Sequence, residues 1–129
     1  MKYLLDTNVL VDYLRKNVRI NEDILESGAG ISILTQGELY YGAFKSKAPE
    51  VNLVLIDDMI SEYGFPVIDI DDKAVLEYAR VKANLEEKGK RLEDLDLLIA
   101  ASALSIKLTL VTRNVKHFER IKGLKLLRV

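Results

Sequence analysis

Lys2-Tyr3-Leu4-Leu5-Asp6-Thr7-Asn8-Val9-Leu10-Val11-Asp12-Tyr13-Leu14 joins two different hydrophobic patterns through an acid. The short apolar run Lys2–Leu5 has strand character. The recurrence of Val9, Leu10, Tyr13 and Leu14 is that of a helix face. Asp6 therefore stands at the carboxyl end of a strand, immediately before a helix. The same alternation recurs along the chain. Ile31–Leu34 follows Gly28-Ala29-Gly30 as a second strand, and Thr35 with Glu38 three residues on has the pattern of a capping box for the next helix. Val51–Ile60 predicts a helix ended near Gly64, and Phe65–Ile68 a third strand. Asp71 or Asp72 caps an amphipathic helix over Lys73–Lys88 that Gly89 stops. Leu97–Leu104 is apolar all round and belongs in the interior, with Asp94 as its N-cap. Leu108–Val111 predicts a fourth strand, Val115–Ile121 a short helix or turn, and Leu124–Leu127 a final strand. Short strands, apolar on both faces and alternating with helices, indicate a parallel sheet covered by helices on each side. The expected fold is a three-layer α/β/α single domain over residues 1–129 with a central parallel sheet.

Composition agrees with this and removes several chemistries. The 129 residues are 49% hydrophobic and 30% charged, with 7 glycines and 2 prolines, which is the balance of a soluble globular domain. There is no cysteine and only one histidine, so a disulfide framework, a thiolate zinc site, a cysteine nucleophile and a polyhistidine metal site are excluded. The N-terminal apolar run is broken by Asp6, so it is not a signal-peptide core, and Leu97–Leu104 falls far short of the roughly 20 residues of a membrane span. A cytoplasmic location is expected. Net charge is −1, yet residues 107–129 hold seven Lys or Arg against the single acid Glu119. That stretch is either a solvated edge or a phosphate-contacting surface.

In open parallel sheets the ligand site lies at the carboxyl ends of the strands. The residues there are Asp6-Thr7-Asn8, Thr35 with Glu38, Asp69 with Asp71, and Thr112-Arg113-Asn114. Three acids stand out: Asp6, Glu38 and Asp96. Carboxylates that converge without neutralising neighbours repel one another, and a divalent cation relieves that repulsion. Oxygen donors without sulfur or imidazole favour Mg²⁺ or Mn²⁺ over zinc. Glu38 has a plainer reading as the capping-box acid, and Asp96 as a first-turn acid favoured by the helix dipole. Asp6 is a poor structural choice among core residues. Asp96 shares a helix face with Ala100 and Ala103, small residues that let this helix approach the sheet. Thr112 and Asn114 can hydrogen-bond a carboxylate, a water or a phosphate, or simply form a strand-exit turn.

Four segments together resemble the PIN-domain ribonucleases of VapC type: Leu4–Leu10, Ser32–Gly42, Asp96–Ala103 and Val111–Phe118. The resemblance spans essentially the whole chain, in the family's order. It implies a Mg²⁺- or Mn²⁺-dependent endoribonuclease, the toxin of a toxin–antitoxin pair, with Asp6, Glu38 and Asp96 as the catalytic acids. In this picture Asp6 and Asp96 hold the metal, Glu38 ligates it or orients the attacking water, and Thr7, Asn8, Thr112 and Asn114 support them. It further implies an RNA substrate, a homodimer and a cognate antitoxin that blocks the cleft. Many members carry a fourth acid where this chain has His117, which puts a second tightly held metal in question. His117 is expected as an exposed residue beside Phe118 that touches RNA, or else as a general acid or base. Arg113, Lys116 and Arg120, with Lys122 beside them, would position RNA phosphates or instead meet an acidic antitoxin segment. Of the other tyrosines, Tyr41 is a candidate to line a protein-contact groove. Two alternatives are a catalytically impaired PIN-like protein that binds RNA or a partner, suggested by His117, and a receiver-like signalling domain. For the latter, Asp69 supplies an acid but no lysine fills the required place.

Overall fold

The apolar tripeptide Tyr3–Leu5 (β1) runs down the middle of a five-stranded sheet in the computed structural model, which describes residues 1–129. After β1 come α1 (Thr7–Lys16), α2 (Glu22–Ser27), β2 (Ala29–Ser32), α3 (Ile33–Phe44), α4 (Pro49–Tyr63), β3 (Val67–Ile68) and α5 (Asp72–Glu87). The chain finishes with α6 (Asp94–Ser105), β4 (Thr109–Thr112), α7 (Val115–Phe118) and β5 (Leu126–Arg128). Strand order is β3-β2-β1-β4-β5 and every pairing is parallel. Leu5 lies level with Ile31 on one side and Val111 on the other.

The consecutive leucines of β1 show why the strands are apolar on both faces. Leu5 packs with Ile31, Val111, Leu10, Leu39 and Met59 in a core beneath α1 to α4. Leu4 points the opposite way, into a second core with Leu110, Val81, Leu85, Ile99 and Phe118 beneath α5 to α7. Both leucines are fully buried. Successive strand residues face opposite sides, so a sheet covered on both faces needs apolar residues at every position. The expected three-layer architecture is the one observed.

Local boundaries differ in instructive ways. The second strand ends at Ser32, not Leu34, and α3 begins at Ile33. Ser32 is extended (φ −74°, ψ 148°) and its hydroxyl accepts from the Leu34 amide, so it is the N-cap, and the expected Thr35–Glu38 capping box does not form. Asp94 is likewise not an N-cap: Glu93 holds that position, without a side-chain bond, while the Asp94 carboxylate accepts from Lys82 and from Tyr78. An ion pair with the neighbouring helix outcompetes the local cap. Phe65 is buried in the first core instead of pairing in β3, stacked on Tyr63 at 5.0 Å. The helix α2, with Asn21 as N-cap and Ile24 buried, was not anticipated, because its six residues are too few to show a period. Gly64 and Gly89 do end their helices as expected, each with φ +67°, a conformation that favours glycine.

A candidate active site where the strand order reverses

From β1 the chain builds outward through β2 and β3, then returns to add β4 and β5 on the other side. The crevice between the carboxyl ends of β1 and β4 is therefore a topological switch point, where open parallel sheets place their ligands. Asp6 occupies it. Its amide donates to the Val111 carbonyl at 2.9 Å, which continues the ladder and holds the residue at the mouth of the sheet.

Every oxygen of the Asp6 carboxylate is engaged. Oδ1 accepts from the Thr7 amide at 2.8 Å, so Asp6 also caps α1. Oδ2 accepts from the Thr112 hydroxyl at 2.8 Å and from Asn8 Nδ2 at 3.2 Å. Thr112, itself fully buried at the end of β4, accepts in turn from the Asn114 amide at 3.0 Å. Asn8 Oδ1 accepts from the Arg113 amide at 3.3 Å. The strand-exit turn after β4 is thus stitched to the helix start after β1. Thr7, Asn8, Thr112 and Asn114 all act as the scaffold of Asp6 or of its neighbours.

Glu38 enters from α3. With the helix starting at Ile33, Glu38 lies in its second turn and is free of capping duty. Its Oε1 accepts from the Thr7 hydroxyl at 2.6 Å, and that hydroxyl lies 3.1 Å from the buried Thr35 hydroxyl. Asp96 enters from the first turn of α6. Ala100 and Ala103, on the same face, are completely buried, so this helix does approach the sheet closely. The one hydrogen-bond partner of the Asp96 carboxylate is His117, whose Nε2 lies 2.9 Å from Oδ2.

These groups line a single open cleft of about 270 Å³ that includes Asp6, Thr7, Asn8, Glu38, Asp96, Asn114 and His117. Burial pushes the Asp6 carboxyl above the ordinary carboxylate range. Hydrogen bonds from Thr112 and Thr7 pull it back, while the negative charges of Asp96 and Glu38 push it further up. The repulsion among the three acids is thus a feature of this geometry. Such a donor set fits a hard divalent cation. The three acids and His117 do not close around one point as a ready-made cage of three ligands. That is the ordinary state of affairs for Mg²⁺, which keeps several waters and takes one or two carboxylates. A larger groove of about 510 Å³ between α5 and the start of α6 contains none of the three acids.

Other expected site residues are placed differently. Asp71 caps α5 by accepting from the Ala74 amide at 2.9 Å, and Asp69 is exposed; neither lines the cleft. The Arg113 guanidinium is tied to the buried Asp12 of α1 at 2.8 Å, and Arg120 donates to the Arg91 carbonyl at 2.9 Å. Both therefore also brace the fold, whereas Lys116 is exposed and makes no ion pair. His117 is half-buried and turned to Asp96. Tyr41 is exposed, together with Phe44 of the same helix and Val51, Val54 and Leu55 of α4. Asp12, four residues after Asn8, escaped the reading of the sequence as one more helix acid, and Thr35, named there at the strand end and as a cap, is a buried hydroxyl behind Thr7.

Residues 3–124 match the family model for the PIN domain. The chain is 35% identical over 128 residues to Ribonuclease VapC2 of Haemophilus influenzae, covering 97% of this chain and 96% of that one. It is 36% identical over 129 residues to the tRNA(fMet)-specific endonuclease VapC of Salmonella typhimurium, covering 98% and 96%. Among solved structures, VapBC2 from Rickettsia felis bound to a DNA fragment from its promoter superposes with a TM-score of 0.91 at 35% identity, over 100% of this chain and 99% of that one.

Proposed function

Because the chain belongs to the PIN-domain family, we propose that it is a VapC-type endoribonuclease, the toxin of a toxin–antitoxin pair, hydrolysing RNA phosphodiesters with Mg²⁺ or Mn²⁺ at Asp6, Glu38 and Asp96. The observation that carries the chemistry is the meeting of three carboxylates, from β1, α3 and α6, in one cleft at the switch point, where burial first and then the charges of the other two push the Asp6 carboxyl up. Asp6 and Asp96 would hold the ion. When bound, it makes a water more acidic and stabilises charge on the phosphoryl oxygens.

The protein's own part is positioning. Thr112 and Asn8 fix Asp6 Oδ2, and the Thr7 amide fixes Oδ1, so this carboxylate is set before any ligand arrives. Thr7 also occupies Glu38 Oε1, which leaves Oε2 to orient the attacking water and accept its proton. No side chain need act as a covalent nucleophile. Lys116 on α7 and the half-exposed Arg113 on the turn before it stand beside the cleft to meet RNA phosphates.

The partners in this reading are a cognate antitoxin and a second copy of the chain. The exposed apolar side chains Tyr41, Phe44, Val54 and Leu55 supply contact surface of the kind protein partners use. No helix is long and apolar enough to cross a membrane, and the cytoplasm, where RNA substrates are found, is the proposed location.

The test is cleavage of a mixed cellular RNA pool by purified, antitoxin-free protein with Mg²⁺, Mn²⁺ or EDTA, alongside Asp6→Asn. Fragments that need the metal and vanish in the variant are expected. Cleavage undiminished by EDTA or by Asp6→Asn would overturn the assigned chemistry. A folded protein that binds RNA and leaves it intact would favour the catalytically impaired alternative.

A further inference from the structure

His117 is the only histidine in the chain, and the fold aims it at the acids. Three observations fix its ring. It lies in α7, whose leading residue Asn114 is anchored through its amide to the Thr112 hydroxyl, the same hydroxyl that holds Asp6. Behind it, the buried Phe118 packs edge-on against the imidazole, with ring centroids 5.2 Å apart and planes at 82°. In front, Nε2 reaches Asp96 Oδ2 at 2.9 Å. The ring also lines the cleft shared with Asp6 and Glu38.

A separation of 2.9 Å is a hydrogen bond, and it is also the spacing of two neighbouring ligands on one ion. Adjacent donors at about 2.1 Å from an octahedral cation are √2 further apart from each other, about 3.0 Å. A cation drawn to Asp96 Oδ2 would therefore find Nε2 already at the next corner of its coordination shell. To bind, Nε2 would turn from the carboxylate oxygen to the ion, a reorientation of the ring at a separation already close to that of neighbouring ligands.

We propose that His117 Nε2 is a direct ligand of the divalent ion, which makes this a mixed nitrogen and oxygen site that prefers Mn²⁺ and the later first-row ions over Mg²⁺. The inference rests on the reading that Asp6 and Asp96 hold the ion. Its chemistry follows from donor type: an imidazole suits the transition ions, whereas Mg²⁺ favours oxygen throughout. The expected affinity order is Ni²⁺ and Co²⁺ above Mn²⁺, with Mg²⁺ weakest.

A spectroscopic experiment on the full chain tests this independently of cleavage. Mn²⁺ is added to protein carrying either natural-abundance or ¹⁵N-labelled histidine, and electron spin echo envelope modulation reads the nitrogens bound to the ion. With a single histidine, any change on labelling belongs to His117. The expected result is one bound Mn²⁺ with a directly coordinated nitrogen whose coupling switches from ¹⁴N to ¹⁵N on labelling. In His117→Asp, shown folded by its thermal melt, Mn²⁺ should remain bound, the nitrogen coupling should vanish, and the preference for Mn²⁺ over Mg²⁺ should fall about tenfold. Mn²⁺ that binds, is lost in Asp96→Asn, and shows no histidine coupling would overturn the proposal and leave the acids as the metal site. A wild-type chain that binds no Mn²⁺ would overturn both.

Discussion

The two walls of the cleft are built on opposite terms. On one wall Asp6 is 5% exposed, grows out of the central strand and accepts three hydrogen bonds. On the other, the Asp96 side chain is one-third exposed, sits in the first turn of a helix whose N-cap makes no side-chain bond, and has His117 as its single partner. Glu38 stands between them, half-buried and held by one hydroxyl. Burial in a hydrogen-bonded mould makes a carboxylate rigid at the expense of a free energy penalty for its charge. Partial exposure makes the other carboxylate tolerant of rearrangement. In the proposed reaction, one preset anchor and one adjustable wall would let the cleft admit a hydrated ion and an RNA phosphate and still fix the direction of attack.

The sharpest way to break this contrast is to neutralise each acid in turn. Asp6→Asn should reduce cleavage by about a thousandfold or more, the several kcal/mol expected when a metal anchor is removed. Relative to wild type, the same change should make the metal-free protein more stable as pH rises, because it removes a desolvated and repelled charge and keeps the Oδ1 cap of α1, against a pH-independent cost where an amide nitrogen replaces the Oδ2 that accepts from Thr112 and Asn8. A denaturant titration in EDTA would show it. The gain must depend on pH. A carboxyl whose folded pKa is raised binds a proton more tightly in the folded chain, so its contribution is intact below the ordinary carboxylate range and is lost as pH rises through the raised value. The advantage of Asp6→Asn over wild type should therefore be least below the ordinary carboxylate range, grow as pH climbs through the raised value, and level off above it.

Asp96→Asn should abolish cleavage to a similar degree yet change metal-free stability by less than about 0.5 kcal/mol, as expected of a partly exposed side chain. Equal stability effects at the two acids would erase the distinction between the walls. Thr112→Val keeps the shape of a fully buried side chain and removes the hydroxyl that serves Asp6, Asn8 and the Asn114 amide. It should destabilise the fold by about 1–3 kcal/mol, the penalty of buried polar groups left unpaired, and thermal unfolding would measure it. The smallest effect is expected at the rim. Lys116→Ala should leave stability unchanged and lower the slope of log affinity for RNA against log salt by about one, which a filter-binding series at several salt concentrations would read.

Much of the site was legible before the fold. An acid placed straight after the apolar Leu4-Leu5 pair announces itself, because a charge there conflicts with the core that its neighbours build. The small residues Ala100 and Ala103 likewise marked the face of α6 that carries Asp96 inward. Glu38 was recognised with an ambiguous role, since Thr35-x-x-Glu38 has the spacing of a capping box. Ser32 as the N-cap removes the ambiguity, because the helix starts three residues earlier and its second turn faces the cleft. Asp94 was misread for a related reason: a cap is a local bond, and Lys82 and Tyr78 of α5 compete for the same carboxylate from outside the local chain.

Hydrophobic periodicity by itself determined the strands, most of the helices and the need for two covered sheet faces, because these depend on residues a few positions apart. The tertiary structure alone decided the partners. Thr112 donates to a carboxylate 106 positions earlier in the chain, Thr7 meets Glu38 across 31, and His117 meets Asp96 across 21. Such contacts follow from strand order and register, in which Leu5 is set level with Val111 so that the residues next beyond them come together. Register is fixed by the fit of both cores at once, a condition on the whole chain that no single segment carries.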